Sequence, residues 1–142
     1  MRHRKHNFKI GRGSSHRRAI VANLLKSLVT HGRIRTTLTK AKELRKHADR
    51  LVTLAKKNTL DARRRANALM MVRFNQLNSK EARQVKSGDL APCNDDRQVI
   101  HRLFDNIGPR FENRAGGYTR ILRLGERRGD ASMSCFIEYL EN

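Results

Sequence analysis

The chain has 142 residues, of which 37% are hydrophobic and only 5% aromatic, enough for one domain with a small core, with or without a tail. Its 32 Lys/Arg against 13 Asp/Glu give a formal net charge of +19, a self-repulsion that opposes compaction unless a polyanion screens it. The two cysteines, Cys93 and Cys135, form no Cys-x-x-Cys pair, which excludes a disulfide framework and fits a reducing compartment; no apolar run reaches transmembrane length, since even Ala19–Leu25 is interrupted by Asn23.

The first stretch, Arg2 to Arg18, holds seven Lys/Arg, three His and no acid. Phe8 and Ile10 stand singly among charges, so it cannot bury a core of its own. Such a chain repels itself and stays extended until dense negative charge orders it, as a nucleic-acid backbone does. The bland reading is a solvated tail or a basic targeting peptide. The bias does not stop with the arm, however: residues 1–42 hold twelve Lys/Arg and no acid, the first being Glu43. An anionic membrane face would need a wide apolar helical face or a lipidation signal, and neither stands out. No uninterrupted signal-peptide core follows the basic start, so the expected location is the cytoplasm. Residues 1–14 are expected to form the arm, and 15–142 a single compact body.

Ser15 is expected to cap a helix running to about Thr30, with Ala19, Ile20, Val21, Leu24, Leu25, Leu28 and Val29 giving a helical apolar face and Gly32 ending it. Arg33 to Leu38 alternates: Ile34, Thr36 and Leu38 share one face, while Arg33 and Arg35 take the wet or RNA-facing side. Thr39 is expected to cap a helix to about Lys57, whose seam is Ala41, Leu44, Ala48, Leu51 and Ala55. After Asn58-Thr59 comes a helix with Asp61 in its first turn and Ala62, Ala66, Leu69, Met70 and Phe74 buried. Residues 76–95 read as a polar surface excursion, with Asn78 and Glu81 placed for a capping box. A helix from Asn94-Asp95 carries Val99, Ile100, Leu103, Phe104 and Ile107, and Gly108-Pro109 is expected to stop it. A loop over 110–117 leads to two strands, Tyr118–Leu124 and Met133–Leu140, joined by a hairpin loop at 125–130. The fold class is α+β: helices on a small sheet of about three strands, with the basic arm extended from it.

No Gly-x-x-x-x-Gly-Lys phosphate loop, Gly-x-Ser-x-Gly elbow or His-Glu-x-x-His motif is present, and no nucleophile–base pair or paired carboxylates suggest catalysis. The six histidines sit mostly among like charges, which disfavours both metal ligation and a tuned general base. Neither a cofactor nor a small-molecule substrate is expected. Aromatics are too scarce for a stacking platform of the single-strand-binding type, and no helix-turn-helix or zinc finger appears. What remains is backbone-dominated contact with structured RNA, with DNA compaction as the generic rival.

Five blocks in order carry a resemblance: Met1-Arg2-His3-Arg4-Lys5; Ser14-Ser15-His16-Arg17; Thr36-Thr37-Leu38 with Lys40-Ala41-Lys42-Glu43-Leu44-Arg45; Gly108-Pro109-Arg110-Phe111; and Arg114-Ala115-Gly116-Gly117-Tyr118-Thr119-Arg120-Ile121-Leu122. The series resembles the bacterial large-subunit ribosomal protein seventeen family across nearly the whole chain. The chain departs from the family pattern at Thr39, where proline is expected, and over 76–95, which is longer than in typical members. The resemblance implies a structural constituent of the large ribosomal subunit. It also implies a place near the outer mouth of the peptide exit tunnel, with ribosomal RNA and neighbouring large-subunit proteins as partners and no membrane. Under it the expected RNA contacts are Arg2, His3, Arg4, Lys5, Lys9, Arg12, Ser14, His16, Arg17 and Arg18, with Arg33, Arg35 and Lys40. Arg110, Arg114, Tyr118 and Arg120 form a second patch beside Gly116-Gly117; for Tyr118 a core position and base stacking are both open.

Overall fold

The computed structural model describes residues 10–141. Helix α1 (Ser14–His31) buries Val21, Ala22, Leu25, Leu28 and Val29. Its start corrects the expected cap: Gly13 is the N-cap, Ser14 is already helical, and no side chain caps the first turn. Its end follows the sequence, with Gly32 at φ 71° donating its N–H to the Leu28 carbonyl at 2.8 Å.

Strand β1 (Arg33–Thr37) runs directly into α2 (Leu38–Lys57), so Leu38 belongs to the helix and Thr37, not Thr39, is its N-cap. The seam Ala41, Leu44, Ala48, Leu51 and Ala55 is buried throughout, joined by Val52. α2 is the central element, touching α1, α3, the later helical turns and all three strands. Asn58, at φ 44°, ends it; Thr59 then caps α3 (Leu60–Met70), its Oγ1 accepting the Ala62 N–H at 3.2 Å. Met71 at φ 51° closes α3 early, which corrects the expected burial of Phe74. That ring leaves the helical face, is 47% exposed, and lies under the Arg97 guanidinium at 4.7 Å.

α4 (Ser79–Lys86) buries no residue; its Asn78–Glu81 capping box is present, with the Asn78 N–H donating to Glu81 Oε2 at 2.7 Å. α5 (Asp95–His101) continues through a π-helical segment, Arg102–Ile107, into a last turn, α6 (Gly108–Arg110). Gly108-Pro109 therefore does not stop the helix. Gly108 has helical angles and is pressed against α2, where an added Cβ would meet the Ala55 carbonyl oxygen at 3.1 Å. Pro109 sits in the first turn of α6, where its missing N–H is tolerated. Glycine is needed here for close packing rather than for a left-handed turn.

β2 (Thr119–Glu126) and β3 (Met133–Tyr139) form a hairpin whose loop begins two residues later than expected. An ion pair between Arg127 and Asp130 holds that loop. β1 adds to the other side of β3, giving an antiparallel sheet of order β1-β3-β2 with an irregularity between Arg123 and Gly125. Ile34, Ile121, Cys135, Ile137 and Tyr139 turn towards the core side. Phe111, fully buried, packs its ring 5.2 Å from Tyr118 and 6.2 Å from Tyr139, joining the end of α6 to the sheet. The architecture is α+β, helices against a three-stranded sheet, as the sequence implies.

Candidate nucleic-acid interface

Arg2, His3, Arg4, Lys5 and Lys9 lie outside the described residues. Of the rest of the first group, Arg12, Ser14, His16 and Arg18 are exposed, and Arg17 half-buried, around the first turns of α1. None of these basic side chains has an acidic partner among the described residues. Arg17 and Arg18 border a cleft shared with Glu43 and His47 of α2 and Leu69 of α3. At about 1.5 Å per residue, α1 sets this cluster, from Ser14 to Arg18, roughly 21–27 Å from the Gly32 end, where the sheet begins.

At that other end, sheet order unites residues distant in sequence. Arg33 and Arg120 both pair in register with Glu138, and Arg35 and Leu122 both pair with Phe136. Because side chains alternate across a strand, these six share the outer face, away from the helices. Glu138, its side chain 13% exposed, receives the Arg120 guanidinium at 2.7 Å and Arg33 Nε at 3.2 Å. The Arg33 guanidinium also lies over the Phe136 ring, 3.9 Å from its centroid, the diagonal contact the register allows. Arg110 borders the same groove, with its guanidinium donating to the Leu140 carbonyl. Arg35 is exposed and has no ion pair among the described residues. Three arginines and one carboxylate thus occupy the face, a positive field fixed on a rigid sheet.

Not all of the expected second patch assembles there. Tyr118 is 2% exposed, with its ring in the Phe111 cluster and the Lys56 ammonium 5.7 Å from its centroid. Of its two open roles it therefore takes the core one, and its ring is not available to a base. Arg114 is exposed in the loop after α6; its Nε donates to the Gly116 carbonyl at 3.1 Å while Lys56 donates to the Arg114 carbonyl at 2.8 Å. Gly116 and Gly117 are exposed, and Gly117, at φ 63°, uses glycine's freedom. Lys40 is half-buried in the first turn of α2. Phe136 and Glu138 were not among the expected site residues. Alternation along β3 puts them on one face, but only the pairing of β1 with β3 brings arginines to them.

Among the described residues, the buried titratable groups do not form a reactive centre. Burial pushes the Cys135 thiol up, the opposite of activation, and its Sγ lies 3.4 Å from the Thr36 carbonyl. Burial and then the charge of Asp49 raise Tyr139. Among the described residues no group of three His, Cys, Asp or Glu could hold a metal, and no helix is long and apolar enough to cross a membrane.

Residues 20–140 match the family Ribosomal protein L17. The chain is 58% identical over 142 residues to the large ribosomal subunit protein bL17 of Chlamydia abortus, covering all of both chains. It is 59% identical over 140 residues to the protein of that name from Chlamydia trachomatis serovar D, covering 99% of each, and 57% identical to that of Chlamydia pneumoniae. The chain therefore belongs to the ribosomal protein L17 family, whose members are structural components of the ribosome and not enzymes.

Proposed function

We propose that this chain is a structural constituent of the large ribosomal subunit and holds ribosomal RNA through Lys/Arg contacts directed at phosphates. Two basic regions at opposite ends of α1 divide the task. Residues 1–14 are the arm that enters RNA, and residues 15–142 are its mount, continuing the contact through Arg33, Arg35, Arg110 and Arg120. The observation that carries this reading is the gathering of Arg33, Arg35 and Arg120 on one sheet face with a single carboxylate among them. A face so charged suits a polyanion better than a small neutral substrate. The assembly comes from the relatives, which are large ribosomal subunit proteins. Family resemblance further implies a position near the outer mouth of the exit tunnel, neighbouring large-subunit proteins as partners, and a cytoplasmic location on the ribosome.

Sedimentation tests this reading. Tagged full-length protein expressed in a bacterium should co-sediment with large subunits and leave them only in high salt. Protein that stays at the top of the gradient would overturn the assignment, and equal competition by duplex DNA and ribosomal RNA would favour a nucleoid-type binder.

A further inference from the structure

Composition argues against a stacking platform, yet the sheet builds a small one. On the outer face the Arg33 guanidinium lies 3.9 Å from the Phe136 ring centroid, and its carboxylate partner Glu138 limits its rotation from the next outward-facing position of β3. The guanidinium carbon sits over the ring, and the Arg33 side chain is half exposed. Planar guanidinium and aromatic groups are surfaces on which unstacked RNA bases settle, while duplex RNA offers side chains chiefly phosphates and 2′-hydroxyls. Leu122, opposite Phe136 on β2, extends the apolar floor and is itself exposed. Around this floor stand Arg35, level with Phe136 on β1, and Arg120, level with Glu138 on β2. Adjacent strands are about 4.8 Å apart, so the two lie on opposite sides of the ring and can meet phosphates on either side of one nucleotide.

We infer that the outer face of the sheet seats a single unpaired nucleotide of folded RNA, its base stacked on the Arg33–Phe136 pair and its flanking phosphates taken by Arg35 and Arg120. Glu138 is a positioning residue in this arrangement: it fixes Arg33 and Arg120 and touches no RNA. Charge selects the occupant. Two arginines flanking a guanidinium–aromatic floor fit a base with a phosphate on either side, whereas the apolar side chain of a protein partner would need no such rim. The inference deepens the RNA-binding reading and depends on it.

The test uses the full-length chain and purified large-subunit ribosomal RNA as the probe. Phe136→Leu keeps an apolar side chain but removes the ring; Arg33→Lys keeps the charge but removes the plane. Each should weaken binding roughly five- to tenfold, since stacking on one base carries at least that much, while leaving the salt slope unchanged because no charge is lost. Chemical probing should show an unpaired base protected by the wild type and exposed with either variant, with backbone protection retained. Should Phe136→Leu fold poorly, Arg33→Lys decides alone, its folding checked by circular dichroism. Wild-type affinity and base protection in both variants would overturn the inference, as would cross-linking of this face in assembled subunits to a protein rather than to RNA. If wild-type protein itself failed to bind the RNA, the RNA-binding reading would fall, a result distinct from variants that bind like the wild type.

Discussion

Phe111 couples the last helical turn to the sheet, and its removal has a magnitude that the structure allows to be worked out. The ring is fully buried and makes two tilted aromatic contacts, with Tyr118 at 5.2 Å and Tyr139 at 6.2 Å. Truncating a buried Phe to Ala costs about 3–5 kcal/mol, from lost transfer energy and the cavity left behind. Phe111→Leu keeps most of the apolar volume but loses both ring pairs, at about 0.5–1.5 kcal/mol each, giving roughly 1–3 kcal/mol. For a chain of 142 residues, 1 kcal/mol moves the melting temperature by about 3 °C, so Phe111→Ala should lower it by roughly 9–15 °C and Phe111→Leu by roughly 3–9 °C. Thermal unfolding followed by circular dichroism, at a salt concentration that screens the net charge, reads both. A shift under about 3 °C for Phe111→Ala would refute the reasoning. Equal shifts for the two variants would show that the aromatic pairs contribute nothing beyond volume.

Three further outcomes follow from named contacts. Asp96 is partly buried, which works to raise its pKa, but the Lys26 ammonium at 2.7 Å and the Arg73 N–H at 2.7 Å outweigh burial and hold the carboxyl below the usual range. Its contribution is therefore present above the unfolded pKa, about 3.9, and lost as pH falls through the lower folded value, so urea unfolding of Asp96→Asn should show a flatter acid limb than wild type. Gly108→Val should destabilise by about 1–3 kcal/mol in urea melts, because even its Cβ meets the Ala55 carbonyl oxygen at 3.1 Å; unchanged stability would show that α6 can move off α2. Cys93 and Cys135 are both buried, so a maleimide should label the native chain only as fast as the chain opens, and rapid labelling of Cys135 would contradict its burial on the core side of β3.

Local signals were legible where a single element decides them. The α2 seam stands out because Ala and Leu recur at helical spacing among Lys and Arg, and burial follows it residue by residue. Gly32 reads correctly because a left-handed C-cap depends on one residue. The Asn78–Glu81 box reads correctly for the same reason. Gly108-Pro109 misleads because the same two letters also suit a close helix–helix approach followed by a tolerated first-turn proline, and only the position of Ala55 separates the cases. Phe74 misleads because its spacing continues the α3 face, but Met71 turns left-handed before the helix reaches it. The sheet face is least legible. Arg33 and Glu138 lie far apart in the chain, and no periodicity within β1 or β3 states that the two strands pair, or in what register. Tyr118 illustrates the same limit from the other side: its flanking Gly-Gly and Arg120 suggest an RNA contact, while its ring is claimed by Phe111.

The most direct measurement compares the salt dependence of binding to large-subunit ribosomal RNA for the full chain and for a chain beginning at Gly13. That truncation removes five Lys/Arg, namely Arg2, Arg4, Lys5, Lys9 and Arg12, and leaves α1 whole. If all five neutralise phosphates, the slope of log affinity against log salt should become shallower by about 4, with far weaker binding at low salt and the body still folded. The same affinity and the same slope in both chains would contradict the claim that the basic arm carries the RNA contact.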